Sequence, residues 1–240
     1  MAEMHDTTEE YLETIFEIEE EGIVPIRARL VERLRLSAPA VSETVNRLVE
    51  QGNVELLDNR RLRLTPKGRA IARSIVRRHR LAERLLVDVI GLEWEKAHRE
   101  ADRWEHAISA EVEEKLVALL GDPATCPHGN PIPGSARTVD RAGTVLLSDA
   151  GEGAVVVSRI SERLELDDDA LTLIAGARLI PGSRATVVGR DAGGNVRVAT
   201  EVGEQVVPVA VARMMEVVPG GGTDLLRGVA VGTGAPANVA

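Results

Sequence analysis

The chain is poor in aromatic residues, poor in lysine and nearly devoid of cysteine. Phe, Trp and Tyr make up 2% of its 240 residues, which argues against a base-stacking RNA platform. The single cysteine, Cys126, excludes an intramolecular disulfide framework and any cysteine-rich zinc module. No apolar run approaches the ~18 residues of a membrane span. The opening MAEMHDTTEEYLETIFEIEEEG is acidic and lacks the basic region of a secretory leader. The expectation is a cytoplasmic protein without a membrane partner. Its length suits one or two domains at ~100–200 residues each.

What is present is charge in blocks. The formal net charge is −9, yet it is unevenly spread. Residues 1–21 hold nine acids and no Lys or Arg, whereas residues 22–80 hold fourteen Lys or Arg against five acids. Affinity for nucleic acid follows local positive charge, because phosphate contacts release counterions. The overall acidity therefore does not exclude DNA binding, but assigns it to one part of the molecule.

Residues 7–21 predict an amphipathic helix, with Tyr11, Leu12, Ile15, Phe16 and Ile18 on one face and Thr7 with Glu10 as a capping box. RARLVERLR (27–35) predicts a short helix. Ser37 then caps a third helix with Pro39 in its first turn and Val41, Val45, Leu48 and Val49 inward. NVELL and RLRLT alternate as two strands around Asp58-Asn59-Arg60. Helix, turn, helix and two-stranded wing is the order of a winged helix-turn-helix. A long helix is expected from Pro66 to Gly91 and another over 94–120. The stretch 122–136, rich in Pro and Gly, reads as a linker. Short β-like runs over 142–217 suggest a small β-barrel. Met4, His5 and His128 read as terminus or linker residues, and Trp94 and Trp104 as packing residues.

The two long helices concentrate possible metal ligands. His79 and Glu83 are four apart, as are His98 and Asp102, and Asp102 and His106; Glu105 follows Asp102 by three. Such spacings share a helix face. A solvated helix also carries acids at these spacings, but three histidines in phase with them point to a metal centre.

The segments DTTEEYLETIFEIEEEG, RARLVERL, SAPAVSETVNRL, LTPKGR, RRHRLAERLL, AHREADRWEH and GNPIPG occur in that order over residues 1–134. In them the chain resembles the diphtheria-toxin-repressor family of metal-dependent transcriptional repressors. The resemblance implies a mainly α fold with a small β part. Its domains would be a winged helix-turn-helix over 1–72, a helical metal-binding and dimerisation domain over 73–134, a connection over 135–149, an SH3-like β-barrel over 150–218 and a disordered tail over 219–240. It implies a primary metal site that, in the iron-sensing branch, takes a Met from the first helix and Cys, Glu and His from the second long helix. The matching positions are Glu10, Asp102, Glu105 and His106. Both sulfur ligands are carboxylates here, and oxygen donors suit harder ions such as Mn²⁺. It implies an ancillary site at His79, Glu83 and His98, with two further ligands aligned to Asp167 and Ala170; alanine cannot ligate, which leaves Asp168 or Asp169 as substitutes. It also implies an anion contact at Arg80, Cys126 and Asn130, where Cys126 replaces the usual Ser.

The expected function is a Mn²⁺-dependent repressor, not an enzyme, that binds double-stranded operator DNA as a homodimer and controls metal homeostasis genes. The metal would join the first helix to the dimerisation domain and fix the spacing of two recognition helices. Candidate DNA contacts are Ser37, Pro39, Ala40, Ser42, Glu43, Asn46 and Arg47 on the recognition helix, Arg27 and Arg29 before it, and Arg60 on the wing. Glu43 stands where the family often has Gln. An iron-dependent repressor of the same family remains the alternative, and Fe²⁺ or another divalent ion the alternative cofactor; a metal-dependent hydrolase fits the ligand types but not the winged-helix order.

Overall fold

The computed structural model describes residues 3–220, with side chains from Thr8 onward. The expected disordered tail lies almost wholly outside the described residues. The chain divides into two compact units, Met1–Arg78 and the remainder from His79.

The first unit follows the sequence pattern closely. α1 (Glu3–Glu20) buries Tyr11, Leu12, Ile15, Phe16 and Ile18. It starts before Thr7, so Thr7 and Glu10 lie inside the helix rather than at its first cap positions, and Met4 and His5 are helical positions rather than a preceding terminus. α2 (Arg27–Leu34) ends at Arg35 in the left-handed conformation. Ser37 caps α3 (Ala38–Glu50), its hydroxyl accepting from the Ala40 amide at 3.4 Å, and Val41, Val45 and Leu48 face inward, whereas Val49, expected inward, is exposed. Each such side chain contributes roughly 1.5–3 kcal/mol when fully buried. β1 (Val54–Leu56) and β2 (Leu62–Leu64) pair antiparallel, with Val54 opposite Leu64. These elements share one core, in the winged helix-turn-helix order.

α4 (Pro66–Arg84) spans the division of the chain. It passes into a π-helical turn over Leu85–Ile90 and stops at Gly91, which adopts φ 79°.

In the second unit the single helix expected over 94–120 is broken. A 3₁₀ turn (Trp94–Lys96) leads into α5 (Ala97–Trp104), and α6 (Ala110–Leu120) starts afresh. Ser109 sets the restart: its hydroxyl accepts from the Val112 amide and caps the new helix. The expected linker over 122–136 is also corrected. Ala124 to His128, Asn130 and Ile132 are buried, and their backbone is satisfied by local bonds such as Cys126 N to Asn130 O at 2.8 Å and Ile132 N to Ala124 O at 2.9 Å. Proline and glycine make this backbone irregular without exposing it.

The sheet half is six-stranded and antiparallel, in the order β3-β8-β4-β5-β6-β7: β3 (Val145–Leu146), β4 (Gly153–Ile160), β5 (Arg184–Arg190), β6 (Val196–Thr200), β7 (Gly203–Val207) and β8 (Met215–Pro219). Register shifts in β4 and β5 mark bulges, which bend strands and increase twist, as the SH3-like expectation requires. Between β4 and β5 lie two helices that strand periodicity does not announce, α7 (Glu162–Glu165) and α8 (Asp168–Gly176). A last short helix, α9 (Val209–Ala212), precedes β8.

Candidate metal centre and nucleic-acid interface

The last turns of α4 carry His79, Arg80, Glu83 and Arg84, all buried. Positions i and i+4 share a face, and His79 Nε2 lies 3.3 Å from Glu83 Oε1. α5 brings His98, whose Nδ1 is 3.1 Å from His79 Nε2 and 3.5 Å from Glu83 Oε1. Asp102 of α5 lies 3.4 Å from His79 Nδ1 with its side chain half exposed. Because α5 ends at Trp104, Glu105 is no longer placed by helical spacing. It turns inward, 3% exposed, with Oε2 2.6 Å from His79 Nδ1. His106, in the turn, is partly exposed and lies 3.3 Å from Glu105 Oε1.

The structure gathers His79, Glu83, His98, Asp102 and Glu105, the last through the turn after α5 rather than through helical spacing. It completes the cluster differently from the expected alignment. Asp167 is the N-cap of α8, its carboxylate accepting from the Ala170 amide at 3.1 Å. Asp168 pairs with Arg99 on the surface. The acids that enter are Glu162 and Glu165 of α7, three apart and both 3% exposed. Glu165 Oε2 is 3.2 Å from His98 Nδ1, and Glu162 Oε2 is 3.8 Å away. A four-residue helix is too short to show a period; its one signal is the Glu-x-x-Glu spacing, beside a more conspicuous aspartate run.

His128 is likewise not a linker residue. It is 0% exposed, and its Nδ1 lies 3.0 Å from Glu83 Oε1 and 2.9 Å from Glu165 Oε2. Its ring stacks at a tilt on Trp94, 4.6 Å between centroids. Trp94 in turn donates its indole N–H to Pro127 O. The neighbouring Gly129 has φ +89°, and a Cβ there would meet Ser158 O at 2.2 Å. Gly129→Ala is therefore expected to lose about 1–3 kcal/mol from overpacking, with the left-handed conformation adding to the cost; chemical denaturation of the chelated protein measures it.

The groups assigned to an exogenous anion are held internally. The Arg80 guanidinium donates to Glu162 Oε1 from Nε at 3.2 Å and from Nη2 at 2.8 Å. The Asn130 amide donates to Glu165 Oε1 at 2.6 Å, and its carbonyl accepts from Arg159. Glu162 thus occupies Arg80 as an anion would. Burial, with Glu83 adding, pushes the Cys126 thiol up to about 12, so without a cation beside it the thiol stays protonated.

The electrostatics are those of a site that wants a cation. Burial alone would drive protons off His79 and His98, yet the surrounding carboxylates reverse this and hold both well above the usual imidazole range: Glu83 and Glu105 act on His79, Glu165 and Glu83 on His98. Burial raises Glu83, but His128 and His79 outweigh it and hold its carboxyl well below the usual range. Glu83 Oε2 is buried and accepts no hydrogen bond. Imidazole nitrogens and carboxylate oxygens converging on an orphaned buried oxygen fit a divalent cation.

The candidate DNA contacts lie in the first unit. Ser37, Pro39, Ala40, Glu43, Asn46 and Arg60 are exposed, and Ser42, Arg47, Arg27 and Arg29 are half-buried. Arg27 donates to Asn46 Oδ1 at 2.7 Å, and Arg29 donates to Val24 O. Arg60 has φ 62° at the wing tip. Glu10 is exposed on α1.

Residues 3–61 match the N-terminal DNA-binding domain of the iron-dependent repressors, and residues 65–134 match their metal-binding and dimerisation domain. The iron-dependent repressor IdeR of Mycobacterium tuberculosis is 48% identical over 204 residues, covering 81% of this chain and 89% of the relative. The diphtheria toxin repressor of Corynebacterium diphtheriae is 43% identical over 199 residues, covering 80% and 88%. Among solved structures, a manganese-dependent transcriptional repressor in complex with manganese superposes with a TM-score of 0.75 at 32% identity, over 88% of this chain and 99% of that one. IdeR of T. acidophilum gives 0.70 at 29% identity, over 88% and 96%. With a winged helix-turn-helix, a dimerisation-domain match and a buried ligand cluster in place, the chain belongs to the diphtheria-toxin-repressor family of metal-dependent transcriptional repressors.

Proposed function

We propose that this repressor responds to Mn²⁺ and binds operator DNA as a homodimer in the cytoplasm. The observation that carries the metal assignment is the pair Glu10 and Asp102, which stand at the two positions where the resemblance puts sulfur in the iron-sensing branch. Together with Glu105 and His106 they form an oxygen and imidazole donor set, which suits a hard ion. Mn²⁺ is the weakest binder of the first-row series at most sites, so selectivity comes from geometry and supply. In the same reading His79, Glu83, His98, Glu162 and Glu165 hold an ancillary ion. Arg80 and Asn130 then orient Glu162 and Glu165 rather than capturing an anion.

On the DNA side, Ser37, Ser42, Asn46 and Arg47 supply donors to phosphates or bases, while Pro39 and Ala40 offer apolar contact to thymine methyls. Glu43 can accept from cytosine. Arg27, Arg29 and Arg60 contact the backbone. The Arg27–Asn46 bond couples a phosphate contact to a base-reading position. Metal acts by population shift, since only the metal-bound arrangement fits two half-sites.

The test is operator binding by fluorescence anisotropy, done anaerobically at fixed salt with Mn²⁺, Fe²⁺ or chelator, on DNA upstream of the protein's own gene and of neighbouring metal-transport genes. Binding is expected at lower free Mn²⁺ than Fe²⁺. Chelator should return it to the non-specific level, about 10³-fold weaker or more. An equal or better response to Fe²⁺ overturns the metal assignment in favour of the second reading, an iron-dependent repressor. That reading is favoured by the identity to the mycobacterial relative.

A further inference from the structure

Cys126 and His128 take no part in the metal sites proposed so far, yet both lie beside Glu83. His128 Nε2 lies 3.2 Å from Trp94 O. A ring N–H donated to a backbone carbonyl is how proteins orient a ligating histidine, because it leaves the other nitrogen's lone pair facing the metal. That other nitrogen, Nδ1, lies within 3.0 Å of both the Glu83 and the Glu165 carboxylates. Two carboxylates converge on that nitrogen, so a positive charge, a proton or a cation, lies between them. A Cys126, Glu83 and His128 ligand atom all lie within 4.8 Å of one another. The fully buried Glu83 Oε2, shared by both clusters, has no hydrogen-bond partner.

We propose that Glu83, Cys126, His128 and Glu165 form a further, thiolate-containing cation site, sharing its two carboxylates with the site built on His79 and His98. The sharing follows from distance: Glu83 and Glu165 lie within 3.5 Å of His98 Nδ1 as well as of His128 Nδ1. Carboxylates between two imidazoles can bridge two ions, which in such pairs sit ~3.5–4 Å apart. The donors are one sulfur, one imidazole nitrogen and carboxylate oxygens, so the occupant is a softer, later ion than Mn²⁺, of the Zn²⁺ or Co²⁺ kind. On binding, the Cys126 thiol releases its proton to solvent and the thiolate ligates. Cys126 and His128 are two apart on the turn closed by Gly129 N donating to Cys126 O at 3.0 Å, so one rigid turn presents both.

The inference shares Glu83 and Glu165 with the ancillary site above, and the experiment separates the two. The full chain is titrated anaerobically with Co²⁺ while visible d–d bands and the near-ultraviolet thiolate-to-cobalt charge-transfer band are recorded. Cys126 is the chain's one thiol, so the second band reports this site alone. We expect both bands in the unmodified protein. Cys126→Ser should lose only the charge-transfer band, and His128→Gln should weaken the cobalt that produces it by about 10-fold or more. Cobalt bound with d–d bands and no thiolate band overturns this inference, leaves the ancillary site standing and makes His128 a protonated bridge. No cobalt bound at all overturns both. The unmodified protein decides the question even if a variant fails to fold.

Discussion

Glu83→Ala is expected to destabilise the metal-free protein by about 3–5 kcal/mol, the cost of breaking a buried ion pair by removing one partner. Glu83 is 0% exposed and lies within 3.5 Å of His79, His98 and His128, each buried. Its carboxylate is a shared counter-charge for all three rings, so its loss leaves imidazolium with diminished compensation in a dry interior. Against a total stability of ~5–15 kcal/mol, that is a large fraction. Urea unfolding in chelator gives the loss directly, and Glu83→Gln, which keeps the volume, separates charge from cavity. Added metal should not restore the Ala variant to the metal-loaded stability of the wild type. An Ala variant within about 1 kcal/mol of wild type, the size of an ordinary substitution, means the three rings are balanced by their other partners.

The second large effect is a change of metal. Glu10→Met together with Asp102→Cys replaces two hard oxygen donors with sulfur, and the response is expected to move from Mn²⁺ toward Fe²⁺ and later ions. Disturbing even an outer-shell partner of a metal ligand costs 10–100-fold in affinity, so exchanging two ligands should shift the ratio of Mn²⁺ to Fe²⁺ activation by at least about that much. Operator binding across a free-metal series reads it. The single exchange Asp102→Cys should move it part of the way. A double variant with the wild-type metal preference removes Glu10 and Asp102 from the donor set and, with them, the argument for manganese.

The first unit was legible because its elements are short, capped and strictly periodic. The inward residues Val41, Val45 and Leu48 and the cap at Ser37 could be read directly. His79, Glu83 and His98 were legible for the same reason. The rest was hidden by three physical effects. The apolar pattern continues through Ile108 to Leu116 although the backbone breaks at Ser109, so periodicity alone reads one helix. Proline and glycine in 122–136 signal irregular backbone but carry no information about its exposure, and His128 within it is buried. Glu162 and Glu165 sit on one helical turn, while the adjacent aspartates are a cap and surface charges.

The burial of 122–132 changes the role of the covalent connection between the helices and the sheet. The exposed stretch between them runs only from about Gly134 to Gly143. On either side of it, Arg80 grips Glu162, Asn130 grips Glu165, and Gly129 lies against Ser158. The sheet is therefore docked rather than leashed. A protease nick in that stretch would leave two fragments associated through a buried polar seam. The same seam makes the sheet a reporter of the helical ligands, because a change in the charge they carry is felt directly by α7.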